Sequence, residues 1–386
     1  MEWVKLGDII KINKGKKVEE TLSKTGNSLR YIQIEDLRNN DNLKYTEDSK
    51  AVVVDERDIL IAWDGANAGT VGFNLKGAIG STISALRINK KNKNNFLSEF
   101  VGYFLKSKNH FLRVTATGAT IPHINKAALL NIKIPLLSID KQNKIVNLLK
   151  ETENLINIRK EQIQAYDDLI ESLFYKMFGN IHNSGFEITS IGSVIESTQY
   201  GTSGKAQDIF GNYKILRMGN LTKDGFLNLD DIKYIDIEKE DKDKYLVNNG
   251  DILFNRTNSK ELVGKTALYN LDYPMAFAGY LIRVRVTKKI NPLFLTRQMN
   301  LKFFKDTLYI KAKTAIGMAN INAKELRNFK IIFPPIEMQN KFADYVIKIE
   351  GEKKKSRESL DEFEILFDAL MEDAFSGNLF KEWEGR

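Results

Sequence analysis

Catalysis by side chains needs a few residue types held close together, and this chain of 386 residues is poor in them. It has no cysteine and three scattered histidines, His110, His123 and His182. Disulfides and thiolate metal sites are excluded, and the imidazoles suggest neither a zinc site nor a Ser–His–Asp triad. LVGKT at 262–266 ends like a phosphate-binding loop, but the glycine needed five places before Gly264 is Ser259, so the cradle is missing. There is no Asn/Asp-Pro-Pro-aromatic motif of an amino-methyltransferase. Glu240 and Lys242 in DIEKEDKDK have a loose nuclease-like spacing, within a run of alternating sign that reads as a solvated turn. The chain reads as a binder without catalysis, with no cofactor and no metal of its own.

What it does carry is cationic and planar polar side chains in loops between apolar runs. Lys and Arg can meet phosphates, while Arg, Asn and Gln can pair with base edges. In the second half, NRTNSK at 255–260 follows DILF and offers Arg256, Asn258 and Lys260. GTSGKAQ at 201–207 offers Lys205, and ILRMGN at 215–220 offers Arg217 and Asn220. In the first half the counterparts are Lys16 and Lys17 in NKGKK, Gln33 in IQIED, Trp63 and Asn67 in WDGANAG, and Thr120 in ATGATIPH. That last loop, 116–123, is repeated as KTAIGMAN at 313–320. Arg256 leads, because an arginine before Thr-Asn-Ser at a strand end has little packing reason to be there. The plainer alternatives are a solvated turn for the lysines and a half-buried core residue for Trp63.

The elements that would position these loops are written twice. At an offset of 197, ten of the 21 positions from Ile124 to Lys144 are identical without a gap, including Ile124/Ile321, Asn125/Asn322, Gln142/Gln339 and Asn143/Asn340. Such agreement means internal duplication. Upstream the match continues with shifting offsets: LGDII with IGSVI, RYIQIEDL with KILRMGNL, RDILIAWDG with GDILFNRTN, AIGSTISALRI with AFAGYLIRVRV. These short β-branched runs, bounded by Gly, Asn and Asp, read as strands and turns. Each half is thus a sheet-containing domain followed by a helix, an α+β arrangement with pseudo-two-fold internal duplication. The Gln142–Asn143 and Gln339–Asn340 pairs read either as capping residues or, since polar identity survives the duplication, as a shared partner surface.

After Ser138, seam positions fall at Ile145, Leu149, Thr152, Ile156, Arg159, Ile163, Tyr166, Ile170, Leu173 and Met177. Alternating steps of four and three make a heptad seam. Adding 197 gives a second seam, from Phe342 to Ala374, polar in the middle at Lys353 and Ser356. Each helix of roughly 40 residues would span about 60 Å at 1.5 Å per residue. Since the first helix must deliver the chain to the second sheet domain, the two helices are expected to pair antiparallel as coiled-coil helices between two end domains. The expected division is 1–137, 138–180 (first helix), 181–333 and 334–386 (second helix and tail). That separation is roughly one and a half turns of duplex DNA at about 34 Å per turn.

A net charge of +8 and pI near 9.1 suit a polyanionic partner. No run approaches the 18 apolar residues of a membrane span, and MEWVKLGDII does not begin like a signal peptide, so a cytoplasmic location is expected.

The order of sheet domain, I-N-x-x-x-L-x-N-x-K-I, a proline step, Q-N-K and long helix, stated twice, resembles the specificity (S) subunit of type I restriction–modification systems. AFSGNL at 374–379 is similar to the close of that family's second helix, and RDILIAWDGANAGTVG and GDILFNRTNSKELVGKT to its target recognition domains. The first helix junction, IPLLSIDKQNKI, departs from the family's two prolines and Glu-Gln, with Asp140 and Lys141 in their place. The resemblance covers essentially the whole chain. It implies two tandem target recognition domains, each reading half of an asymmetric split site in double-stranded DNA. It also implies paired helices docking two DNA adenine methyltransferase (M) subunits, with restriction/translocase (R) subunits joining through them. S-adenosylmethionine and ATP would belong to those partners. The residues alone also allow a coiled-coil adaptor carrying two protein-binding modules. A nuclease or methyltransferase fused to its own recognition domains would require a catalytic motif, and none is visible.

Overall fold

The computed structural model describes residues 2–118, 120–222, 225–260, 262–311, 313–315 and 318–376. The chain forms two compact units, Met1–Lys160 with Glu358–Arg386, and Glu161–Arg357. Each long helix, Ile139–Phe178 and Ile336–Ser376, therefore contributes to both.

In the first unit, Glu2–Lys5 pairs antiparallel with Lys133–Leu136. One four-stranded sheet runs Ile10–Lys14, Ile83–Ile88, Ile59–Ala62, Val71–Gly72. A second runs Tyr45–Thr46, Leu29–Ile32, Gly77–Ile79, Val52–Val54, with its middle pair parallel. The other unit repeats this strand for strand. Glu187–Ser190 pairs with Lys330–Phe333, and one sheet runs Ile195–Tyr200, Leu281–Val286, Ile252–Asn255, Thr266–Leu268. The other runs Lys233–Ile235, Tyr213–Leu216, Met275–Phe277, Leu246–Val247, again parallel in the middle. The fold is α+β, duplicated in tandem; the matched runs from RYIQIEDL to AIGSTISALRI fall on equivalent strands in both units, while LGDII and IGSVI fall on the helical turns Leu6–Ile9 and Ile191–Ser193.

Chemistry explains why these runs are strands. Ile59–Ala62 and Ile252–Asn255 are buried at every position, as expected of central strands covered on both faces. At the start of each, a buried aspartate takes an arginine from the neighbouring strand: Arg87 Nε on Asp58 at 2.6 Å, Arg285 Nε on Asp251 at 3.0 Å. The two ion pairs are one feature inherited twice, and they bury a charge only where it is answered.

The helices pack against each other within each unit. In the first, Ile145 and Leu149 share a core with Met371, Ala374 and Phe375, and Lys160 meets Glu364 at 2.8 Å. In the second, Ile170, Phe174 and Phe178 share a core with Phe342 and Val346. Position rises along one helix as it falls along the other, so the pairing is antiparallel. The seam expected from heptads is followed as far as Ile170, then slides by one residue. Phe174 and Phe178 are fully buried, whereas Leu173 and Met177 are only partly so. A partial slide recurs 197 residues later, where Met371 and Phe375 are buried and Leu370 is not, although the expected seam residue Ala374 is buried with them. At these ends the helix packs on a sheet domain as well as on its partner, with Phe174 and Phe178 at 5.7 and 5.2 Å from Phe294. An α-helix of 3.6 residues per turn drifts off a strict heptad unless a supercoil enforces it.

Unit Glu161–Arg357 also holds a partly buried lysine. Lys305 donates to Gly264 O, and desolvation, with the nearby Lys265 ammonium, pushes its pKa down to about 7. A folded pKa below the ordinary value near 10.5 means the unfolded chain holds the extra proton between those limits. Stability should therefore rise from pH 7 to 9.5, with a slope of up to about 1.4 kcal/mol per pH unit. Urea melts across that range should show the rise, and Lys305→Met should flatten it.

Candidate nucleic-acid interface

The duplication brings two sets of candidate residues to the same place in each unit, the ends of strands Ile59–Ala62 and Ile252–Asn255. Arg256 and Trp63 occupy equivalent positions. Arg256 N donates to Tyr280 O at 3.0 Å and its carbonyl accepts from Ile321 N at 2.9 Å. Trp63 N donates to Thr82 O at 2.7 Å and its carbonyl accepts from Ile124 N at 2.9 Å. The backbone is held identically while the side chains differ completely.

In the second unit, the Arg256 guanidinium lies 4.9 Å from the centre of the Tyr200 ring and donates from Nη2 to Asn320 Oδ1 at 3.1 Å. Tyr200 is anchored in turn, its hydroxyl accepting from Ala323 N at 2.9 Å. Asn258, beside them, belongs to a small sheet of Thr257–Asn258, Met318–Asn320 and Lys313–Ala315. Lys260 Nζ stands 4.2 Å over the Tyr309 ring. The result is a partly exposed, cationic and aromatic cluster whose arginine is stacked and oriented before any ligand arrives.

In the first unit the same place holds a hydrogen-bonded trio of Lys14, Asp64 and His123. Asp64 accepts from Lys14 Nζ at 3.0 Å and faces His123 Nδ1 at 2.6 Å. Partial burial works to raise the Asp64 carboxyl, but the bonds from His123 and Lys14 outweigh it and hold it below its ordinary range. Trp63 is half-buried and packs on the unit's core, while Thr120 is exposed. Asn67 accepts from Arg38 Nη2 at 2.6 Å, and Gln33 donates to Glu20 at 2.6 Å. A cleft of about 1010 Å³ joins Lys17, Gln33, Lys44, Asn67 and Thr82. Lys16, Lys17 and Lys205 are exposed.

Three expectations are corrected. Asn220 is buried; it accepts from Arg217 N and donates to Asn228 O and Asp231 O, so it shapes its loop and cannot reach a base. Gln142 and Gln339 are fully buried and cannot form a docking surface. Gln142 accepts from Leu97 N at 2.9 Å and donates to Asn95 O and Leu137 O at 2.7 and 2.9 Å. Gln339 likewise accepts from Asn291 N at 2.8 Å and donates to Lys289 O and Pro334 O at 3.3 and 2.8 Å. The repeated glutamine is an internal tie between each long helix and the loop before a shorter one. Alanine at either site strands buried backbone groups and should cost about 2–4 kcal/mol in urea melts. Asn143 and Asn340 remain exposed, Asn340 accepting from Asn291 Nδ2 at 2.9 Å. Arg217 is tied to Asp231 at 2.7 Å.

Lys14 was weighed from the sequence with Lys16 and Lys17 as a phosphate contact, but Asp64, His123, Tyr200 and Asn320 were not singled out as contacts. Placing His123 and Asn320, one offset of 197 apart, opposite the strand ends of Trp63 and Arg256 would have found two of them. Among the described residues, no group of His, Asp or Glu is placed to hold a metal, and no helix is long and apolar enough to cross a membrane. Gly377, Asn378 and Leu379 of the AFSGNL stretch lie outside the described residues, as do Ala119, Ile316 and Gly317 in the two repeated loops.

A sequence profile of the type I restriction modification DNA specificity domain matches residues 1–165 and again 183–360. The MjaVIII specificity subunit of Methanocaldococcus jannaschii is 29% identical over 390 residues, covering 93% of this chain and 89% of that protein. The EcoKI specificity subunit of Escherichia coli K12 is 22% identical, covering 86% and 76%. Among solved structures, the type I system S subunit from M. genitalium is similar with a TM-score of 0.56 at 16% identity, over 97% of this chain and 96% of that one. A structure from work on complex assembly and conformational transition of the type I R-M system gives 0.59 at 17% identity, over 98% of both chains. At these identities the solved structures speak for the shared fold. With the specificity profile matched twice along a chain whose two units repeat the same sheets strand for strand, this protein belongs to the family of type I restriction–modification DNA specificity subunits.

Proposed function

We propose that each unit reads one half of a split, asymmetric sequence in double-stranded DNA through the cluster at its equivalent strand ends. The observation that carries this reading is identical backbone scaffolding under unlike side chains: Tyr200, Arg256 and Asn320 in one unit, Lys14, Trp63, Asp64 and His123 in the other. A shared scaffold with divergent tips suits two readers of different base sequences. Lys16, Lys17, Lys205 and Lys260 supply phosphate contacts, and Gln33, Asn67, Thr120 and Asn258 are further candidates at the edges. Arg217, tied to Asp231, stays a candidate for the phosphate backbone.

The chain is a specificity subunit and not itself a catalyst, as its family membership entails. In this reading two DNA adenine methyltransferase (M) subunits dock on the long helices, Asn143 and Asn340 lie on the docking faces, R subunits join through them, and the complex works in the cytoplasm. The recognition domains correspond to 1–137 and 181–333, the helical spacers to 138–180 and 334–386. Co-expression with a methyltransferase subunit, followed by sequencing for modified adenines, tests it. Methylation confined to one split motif is expected. A stable complex with no motif would return the sheet units to a protein-binding role.

A further inference from the structure

Loop residues 201–212 and their counterpart 15–28 leave strands Ile195–Tyr200 and Ile10–Lys14, whose last residues Tyr200 and Lys14 belong to the clusters just described, and each displays apolar side chains to solvent. Leu22 is 79% exposed; Ile209 and Phe210 are 73% and 72% exposed. Single exposed apolar residues are ordinary on a protein surface. These differ because the duplication places them at matching points. Each loop begins at a glycine jammed against the next strand, where a Cβ would fall 2.2 Å from Gly80 O at Gly15 and 2.3 Å from Ala278 O at Gly201. Each is then pinned by an isolated antiparallel bridge to an edge strand, Thr21 to Tyr45 and Gln207 to Tyr234. The apolar residues follow within one to three positions of that bridge. The nearest carboxylates are neutralised, Glu20 by Lys44 at 2.6 Å and Asp208 by Lys233 at 2.6 Å. Exposed lysines, Lys16, Lys17 and Lys205, precede them on the same loops.

We propose that Leu22 in one unit and Ile209–Phe210 in the other are wedges that enter a base step of bound duplex DNA and unstack it. The inference rests on the DNA-reading function proposed above. The chemistry fits a base step: flat apolar base faces accept an aromatic or aliphatic side chain, while flanking lysines hold the phosphates on either side. Backbone pinning before the tip keeps the wedge from folding back onto the protein. A continuous surface to the reading cluster is visible in the first unit, where one cleft is lined by Lys17 and Glu20 of the loop and by Asn67 and Thr82 near the strand ends.

The test uses the full chain and a duplex it enriches from a randomised library, with 2-aminopurine placed at each step in turn. Wild type should raise fluorescence several-fold at one step in each half-site. Phe210→Ala should abolish the rise in one half-site only and weaken binding roughly tenfold; Phe210→Trp should keep both. Leu22→Ala should do the same in the other half-site. These tips are solvent-exposed, so the variants leave the core intact. Enriched duplex bound with no fluorescence rise anywhere, or a rise unchanged by Phe210→Ala, overturns the wedge and leaves DNA reading standing. Failure to enrich any duplex overturns the DNA-reading proposal, and the wedge with it.

Discussion

Asp167→Ala should destabilise the chain by about 2–4 kcal/mol, while Lys353→Met should cost little or even stabilise it. Lys353 is completely buried in the middle of the second long helix, and its ammonium is paired with Asp167 on the first. It also lies 5.7 Å from the centre of the Phe226 ring. Removing the carboxylate leaves a buried cation without its counter-ion, a loss of about 3–5 kcal/mol in a dry site. The Asp167 side chain is 29% exposed, so water and the neighbouring Glu350 relieve part of that cost. Lys353→Met keeps the stem and its packing and removes the charge that needed a partner. Urea denaturation of both variants decides the matter. Equal costs, or a neutral Asp167→Ala, would show that the pair is incidental to the helix seam. A polar pair of this kind can also fix the register of paired helices, so Lys353→Met should show a broader unfolding transition if register slips.

Arg256→Ala should weaken binding of the cognate DNA by about 1–3 kcal/mol, the range for a bidentate arginine–base contact, and relax base preference in one half-site. Arg256→Lys should not restore it, because a lysine lacks the planar fork that stacks on Tyr200 and reaches Asn320. Affinities measured from low to high salt separate the two possible roles. Loss of a base contact leaves the salt slope nearly unchanged, whereas loss of a phosphate contact reduces it by about 0.9. Unchanged affinity and unchanged preference would remove Arg256 from the interface. Trp63→Ala, at the equivalent position, should affect the other half-site and also cost stability, since its ring packs on the core.

Much of the architecture could be read from residue order. Apolar runs such as DILI and DILF, each opened by an aspartate, marked the central strands, and a gap-free offset of 197 marked the duplicated helices. Both signals are local: burial on two faces demands a continuous apolar run, and helix packing demands a periodic stripe. The reading went astray where a residue's task depends on its distant neighbours. Gln142 and Gln339 are identical because each closes the same three backbone bonds inside its own unit, and identity alone does not distinguish that from a partner surface. Asn220, polar and in a loop, is a buried scaffold for Asp231 and Asn228.

The contact cluster divides along the same line. Arg256 stood out in the sequence because an arginine after an apolar strand needs a reason. Tyr200 and Asn320, 56 and 64 residues away along the chain, come to it through strand pairing. Lys14, Asp64 and His123 likewise converge from three segments. Periodicity and turn chemistry specify which residues form strands and helices, because those depend on neighbours a few positions apart. Which tips stand together at the strand ends follows from how the sheets close, since hydrogen-bonded pairing between remote segments sets that register and leaves no trace in local spacing.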